Sequence, residues 1–405
     1  MQERLLTANY VKIWLGNFLM NFAFMLVVPL LPLYLSDTFG ASKDTIGLVL
    51  FGYSATALAM RPFSGWIVDS FPRKAVLLFF FGLTTALFLG YMVAGTLTMF
   101  ALFRTLQGAP FGATGVSLST VAVDSLNPSR RTEGIGYYGL SNNIATALSP
   151  SLALAIFAAH PSYQLLFLLS FLVSLAGVIL CATLRLKLRE PVQRQVISLD
   201  RFFLIPAWAL FIAMFTLGVS YSILSTFVAI FGRDELGITG GTGLFFALLA
   251  IGLIVSRLTG AHSLRHGDVV HNANFGFTVS LIGYVIFALS SDRSLGTYTL
   301  LGIDIREVAY YTAPFVIGLG NGHTWPAFQN MFINLAEHNQ RGTANSTILT
   351  AWDLGMGIGM ALGGVLTEYL GYEPAFWIMV AINASGAVWY YLFARSHYLR
   401  HKLYD

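Results

Sequence analysis

The sequence is short of charge. Asp, Glu, Lys and Arg together make up 10% of its 405 residues, whereas a soluble domain carries about a quarter, so there is too little charge to cover a water-facing surface. It holds one cysteine, Cys181, which excludes a disulfide framework and a thiolate metal cluster. It has no phosphate-binding loop ending in Gly-Lys-Ser/Thr, which excludes ATP-driven pumping by this chain alone, and no His-Glu-x-x-His metalloprotease pair. The Gly-x-Gly-x-x-Gly string at 134–139 lacks the preceding strand and the following acid of a dinucleotide site, and reads as helix packing. His262, His266, Asp268 and His271 form no closed ligand set and read as a solvated loop. No cofactor, metal or nucleic acid is expected, and neither is an enzymatic activity. The N-terminal stretch has no small-residue cleavage site, and the apolar run after it is too long for a signal core, so it reads as a retained first span.

What the chain has in abundance is apolar surface. Hydrophobic residues make up 56% of it, and the mean hydropathy is +0.69. A membrane-crossing helix needs about 20 mostly apolar residues, each rising 1.5 Å through roughly 30 Å of hydrocarbon. Such runs predict twelve spans, near 10–35, 44–68, 75–94, 97–122, 133–158 and 162–185, then 202–230, 240–263, 271–291, 307–334, 343–367 and 374–394. Helices are required because lipid cannot satisfy exposed backbone groups, and the alternation of barrel strands is absent.

The polar stretch 186–201 separates the halves, predicting a bundle over 1–185, a cytoplasmic linker over 186–201 and a bundle over 202–405. With the N-terminus inside, only Lys43, Arg233, Arg293 and Arg306 fall outside, and Arg61, Arg104 and Arg257 fall within spans. The other sixteen of the 23 Lys and Arg lie inside. This bias predicts both termini on the cytoplasmic face of the cell's inner membrane.

The halves repeat weakly. Gly65 matches Gly260 at an offset of 195, and Gly108, Gly112 and Arg131 match Gly318, Gly322 and Arg341 at an offset of 210. The difference falls in the connection between spans 9 and 10, which contains "SDRSLGTYTLLGIDIRE".

After span 2 comes "GWIVDSFPRK", with Gly65, Asp69, Arg73 and Lys74. Twelve spans in two six-helix halves with this charged loop resemble the major facilitator superfamily over essentially the whole chain. The loop keeps that family's first Gly, its acid and its terminal basic pair, while Ser70 and Pro72 replace a basic residue and a second Gly. Gly65 is expected to let span 2 approach a partner helix closely. Asp69 would then face the N-terminal end of span 11 near Thr343, with Arg73 pairing to Asp69 and to Asp124. The resemblance implies that this cluster latches the halves together on the inner side.

"RTLQG", with Arg104, Gln107 and Gly108, resembles the family's second motif, whose Arg is linked to proton coupling. "ATALSPSLA", with Ala145, Ser149, Pro150 and Ala153, is similar to the antiporter motif. Spans 1, 4, 7 and 10 line the cavity in this family, which makes Asn17, Asn21, Gln107, Ser220, Tyr221, His323, Trp325 and Gln329 candidate substrate contacts; helix–helix hydrogen bonding is the alternative for each.

Asp353 is the one carboxylate placed deep in a span. It lies twelve residues beyond Arg341, or about 18 Å at 1.5 Å per residue. It is the expected proton carrier; an interhelical hydrogen bond holding span 11 is the other reading. The expectation is therefore an all-α membrane protein of twelve transmembrane helices in two pseudo-symmetric bundles, acting as a monomer. Its expected partners are the bilayer, protons and a small amphiphilic organic substrate, which it exports by alternating access. A proton symporter importing a metabolite, and a receptor that transports nothing, are the alternatives.

Overall fold

The computed structural model describes residues 7–126, 131–186, 203–238, 242–265, 268–300, 302–337 and 340–403. Their α-helices are α1 (Ala8–Val27), α2 (Leu31–Phe39), α3 (Lys43–Ser70), α4 (Arg73–Val93), α5 (Leu97–Asp124), α6 (Arg131–Ala159) and α7 (Tyr163–Ala182), followed by α8 (Trp208–Leu236), α9 (Thr242–Arg265), α10 (Val269–Leu289), α11 (Ile305–Asn334), α12 (Arg341–Tyr369), α13 (Tyr372–Trp389) and α14 (Arg395–His401). A 3₁₀ turn containing Pro29 joins α1 to α2, so both belong to one span, Ala8–Phe39. A π turn likewise joins α13 to α14.

Eight stretches are long and apolar enough to cross a membrane: Ala8–Phe39, Arg73–Val93, Tyr137–Ala159, Tyr163–Ala182, Ile205–Leu236, Val269–Leu289, Thr343–Tyr369 and Tyr372–His401. The other four predicted spans are α3, α5, α9 and α11. At 24 to 30 residues each, they are long enough to cross. In α5 the polar side chains of Arg104, Gln107, Thr114 and Ser117 are all buried. A helix surrounded by protein can carry polar groups that a lipid-facing helix cannot, and that lowers its hydropathy.

The chain divides into two compact units. The first comprises Met1–Phe39 and Gly52–Ile197, the second Gly40–Phe51 and Ser198–Asp405. All but the first residue of the predicted linker 186–201 lies outside the described residues. Within the first unit, α1 packs on α6 and α7, and α4 packs on α5 and α7. Within the second, α8 packs on α12 and α13, and α10 packs on α11 and α13. Numbered as spans, the pairings 1–5, 1–6, 3–4 and 3–6 recur as 7–11, 7–12, 9–10 and 9–12.

The sequence repeat has a direct structural counterpart. A Cβ at Gly108 would collide with the Tyr53 carbonyl, and one at Gly112 would stand 3.3 Å from the Ala57 carbonyl, so α5 lies directly on α3. At the matching positions, Gly318 meets the Leu249 carbonyl and Gly322 meets Ser256, so α11 lies directly on α9. Without a side chain, two backbones reach a separation that no larger residue allows, and dispersion contacts replace the hydrophobic drive that lipid does not supply.

No atom of another described element lies within 4 Å of where a Cβ at Gly65 would stand. The long connection after α10 departs from pure helix. A 3₁₀ turn (Arg293–Thr297) leads to β1 (Thr299–Leu300), which pairs antiparallel with β2 (Ile303–Asp304). Gly302 turns the hairpin at φ +83°, a value that favours glycine.

The glycine contacts generate a paired prediction. Gly108→Ala places a methyl group against fixed backbone and is expected to destabilise the purified protein by about 1–3 kcal/mol, the usual overpacking cost. Gly65→Ala fills open space in a helix and should be neutral or gain up to about 1 kcal/mol from helix propensity. Thermal unfolding in detergent of the two variants side by side is the measurement.

Candidate functional site

In the first unit, α5 carries Arg104 into a setting made almost wholly of aromatic and amide groups. The side chain is 1% exposed. Its guanidinium lies 4.2 Å over the Tyr53 ring and 5.0 Å over the Phe24 ring. One terminal nitrogen donates to Gln107 Oε1 at 3.2 Å and to Tyr91 Oη at 3.3 Å, and the Tyr91 hydroxyl itself donates to Gln107 Oε1. Gln107 Nε2 reaches the Thr84 carbonyl at 3.4 Å. Arg104 Nε is buried without a hydrogen-bond partner, and no carboxylate pairs with Arg104 among the described residues. Arg104 and Gln107 sit three apart on one helix face, so the sequence motif brings them together. Tyr91, Tyr53 and Phe24 join them through packing that no local pattern announces.

A buried charge is costly unless it is compensated. Two ring faces and two neutral oxygens compensate Arg104 only in part, which leaves a buried positive centre in the first third of α5.

The remaining first-unit candidates are engaged with each other. Asn17 Nδ2 donates to Ser141 Oγ at 2.8 Å, tying α1 to α6. Asn21 Nδ2 donates to the Asn17 carbonyl at 2.8 Å and to its Oδ1 at 3.2 Å. Ser149, from the segment similar to the antiporter motif, donates to the Phe22 carbonyl at 2.7 Å. These contacts hold helices together. At the end of the unit where α3 meets α4, Arg73 forms an ion pair with Asp124, as expected, and Lys74 Nζ donates to the Leu184 carbonyl at 2.8 Å. The side chain of Asp69 lies outside the described residues, as do those of Arg131, Arg341 and His262.

In the second unit the candidates separate into two groups. Ser220 is fully buried and donates to the Thr216 and Met379 carbonyls. His323 is 5% exposed, with Nδ1 2.9 Å from the Leu319 carbonyl. A carbonyl only accepts, so Nδ1 carries a proton, and Nε2 lies 3.1 Å from the Thr259 hydroxyl. Gln329 is exposed. By contrast, Tyr221 and Trp325 are half-buried and converge on Trp352, a residue that composition and spacing did not single out. Its ring centroid lies 5.5 Å from that of Tyr221 and 5.2 Å from that of Trp325. Asp353, the next residue on α12, is half-buried at mid-helix. Asn383 in α13 was also missed; it is fully buried, and neither of its amide atoms has a hydrogen-bond partner.

The arrangement is that of a membrane carrier: two internally repeated helical units with polar groups at mid-depth and no assembled catalytic set among the described residues. The model of the Major Facilitator Superfamily matches residues 13–312 and 294–403, and the chain belongs to that family. It is a multi-pass membrane transporter of small molecules rather than an enzyme. Among curated relatives, the staphylopine export protein of Staphylococcus aureus is 21% identical over 82% of this chain and 83% of its own length. The putative multidrug resistance protein MdtD of Escherichia coli is 23% identical over 89% of this chain and 87% of its own. Among solved structures, the nucleoside transporter NupG superposes with a TM-score of 0.72 at 15% identity, covering 97% of this chain and 99% of that one. A POT family transporter in complex with a thioalcohol-conjugated peptide superposes with a TM-score of 0.78 at 14% identity, covering 96% of each chain. At those identities, the likeness concerns the fold alone.

Arg104 yields a test of function against structure. Arg104→Gln removes a poorly compensated buried charge and keeps a hydrogen-bonding side chain, so the melting temperature should hold or rise. Flux per folded molecule should fall about tenfold or more, the effect of roughly 1.4 kcal/mol on a barrier. A melting temperature that collapses would make Arg104 a structural residue.

Proposed function

We propose that the protein exports a small amphiphilic organic compound against inward proton flow, by alternating access, with Asp353 as the principal proton carrier and Arg104 as a second proton-coupling residue. The observation that carries this reading is the half-buried Asp353 at the middle of α12. It stands about 18 Å along the helix from Arg341 at 1.5 Å per residue. An acid at that depth can be protonated and released as access alternates between the two sides. The printed names of the relatives, an export protein and a putative multidrug resistance protein, support the outward direction. Aromatic residues at 14% of the chain suit an apolar cavity with few polar anchors.

The working unit is a monomer in the cell's inner membrane, with two bundles joined by a linker over 186–201. Both chain termini are cytoplasmic, following the distribution of Lys and Arg. Arg73, Lys74 and Asp124, with Gly65 and Asp69, serve as an inner-side latch whose strength changes through the cycle. The candidate substrate contacts are Asn17, Asn21, Gln107, Ser220, Tyr221, His323, Trp325 and Gln329, of which Asn17, Ser220 and His323 are already held in helix contacts. Tyr221 and Trp325 lead the rest, because their rings are half-buried.

Two measurements test this reading. In proteoliposomes, Asp353→Asn keeps the shape of the side chain and cannot release a proton, so flux driven by a pH gradient should disappear while substrate binding persists. Full uphill transport by this variant would remove Asp353 from the coupling role. For orientation, Cys181 is fully buried and gives little background. A cysteine replacing the exposed Ser294 should react with an impermeant reagent added to intact cells, and one replacing Lys402 should not. The reverse pattern would invert the topology.

A further inference from the structure

We propose that Tyr221, Trp325 and Trp352 form an aromatic corner that binds the ammonium group of an organic cation. This inference deepens the transport reading, on which it rests, by naming the class of substrate. The three residues come from α8, α11 and α12 of the second unit. They lie about 14–20 Å, at 1.5 Å per residue, from the helix ends at Trp208, Asn334 and Arg341. The corner is therefore at membrane mid-depth.

Trp325 and Trp352 are nearly perpendicular, with an interplanar angle of 84° and centroids 5.2 Å apart. Tyr221 lies against Trp352 at 5.5 Å and 36°. Trp gives the strongest electron-rich surface for a cation of any side chain, and two indoles and a phenol meet here. All three side chains are half-buried, whereas the neighbouring residues Ser220, Ser222, Thr324 and Ala351 are buried. The three rings thus keep accessible surface beside buried residues on the same helices.

No described cation of the protein occupies these faces. The cation–π pairs among the described residues lie on Phe24, Tyr53 and Tyr372. The local charge also favours a cation. Over residues 208–232, 308–334 and 343–367, which form most of these three helices, Asp353 is the only Asp, Glu, Lys or Arg. It adjoins Trp352 in the chain. Its negative charge in a low-dielectric setting attracts a cation more strongly than it would in water, and the rings supply contact that a strongly hydrated metal ion cannot use. A tertiary or quaternary ammonium, weakly hydrated and surrounded by carbon, fits both features.

The test uses the full-length protein in lipid nanodiscs and two probes of the same shape, benzyltrimethylammonium and its uncharged isostere neopentylbenzene, with affinities measured by calorimetry. The ammonium should bind at least about tenfold more tightly, equivalent to ~1.4 kcal/mol. Trp352→Leu should remove most of that preference, and Trp352→Phe, which keeps an aromatic ring with a weaker face, should fall between the two. Should the Leu variant fail to fold, the Phe variant and Trp325→Phe decide by the same intermediate loss. Equal affinity for the two probes, no binding of the ammonium, or an unchanged preference in Trp352→Phe and Trp325→Phe would overturn the proposal. Because binding is read without a gradient, a failure of proton-driven export appears only in the flux assay, and a failure of cation recognition appears only here.

Discussion

Lipid offers no hydrogen bonds, and that single constraint shapes most of what this chain does. Every backbone polar group must be satisfied within a helix, and a polar side chain at depth must find protein or a cavity. The hydrophobic effect cannot draw two helices together there, because lipid tails are as apolar as the helices themselves. Contact has to come from shape. Gly108 against Tyr53 and Gly318 against Leu249 supply it at equivalent places in the two units, bringing α5 onto α3 and α11 onto α9.

Within that frame, polar residues at depth fall into two kinds. Some are consumed by the fold. Asn17 ties α1 to α6 through Ser141, Ser220 reaches the carbonyl of Met379 in α13, and His323 is fixed between Leu319 and Thr259. Others keep unused capacity. Arg104 is a buried cation that no described carboxylate neutralises, and Trp352 with its two ring neighbours keeps accessible surface at mid-membrane. Proteins keep such groups at a cost to stability, and polar groups inside membrane spans are where function concentrates.

The fold was legible because lipid leaves so few alternatives. Apolar runs locate the helices to within a few residues, and the offset of 210 between Gly108 and Gly318 marks two glycines with the same packing role. In α5, buried polar side chains lowered the hydropathy of a helix long enough to cross. The site was less legible. Arg104 and Gln107 are three apart on one helix and could be read together. Tyr91, Tyr53 and Phe24 are brought to them by α4, α3 and α1, and Trp352 is brought to Trp325 by the packing of α12. Such meetings depend on tertiary geometry that no local spacing encodes.

The distinction between polar groups that hold the fold and polar groups that do the work is the core of this account. It is tested most directly by removing a complete internal pair. Asn17→Leu combined with Ser141→Ala deletes both partners of one interhelical hydrogen bond, so neither group is left buried and unsatisfied. Flux per folded molecule in proteoliposomes should stay within about twofold of the parent protein, a change of under ~1 kcal/mol. A folded double variant that has lost transport would contradict the account, because it would place the amides of α1 among the groups that handle the substrate.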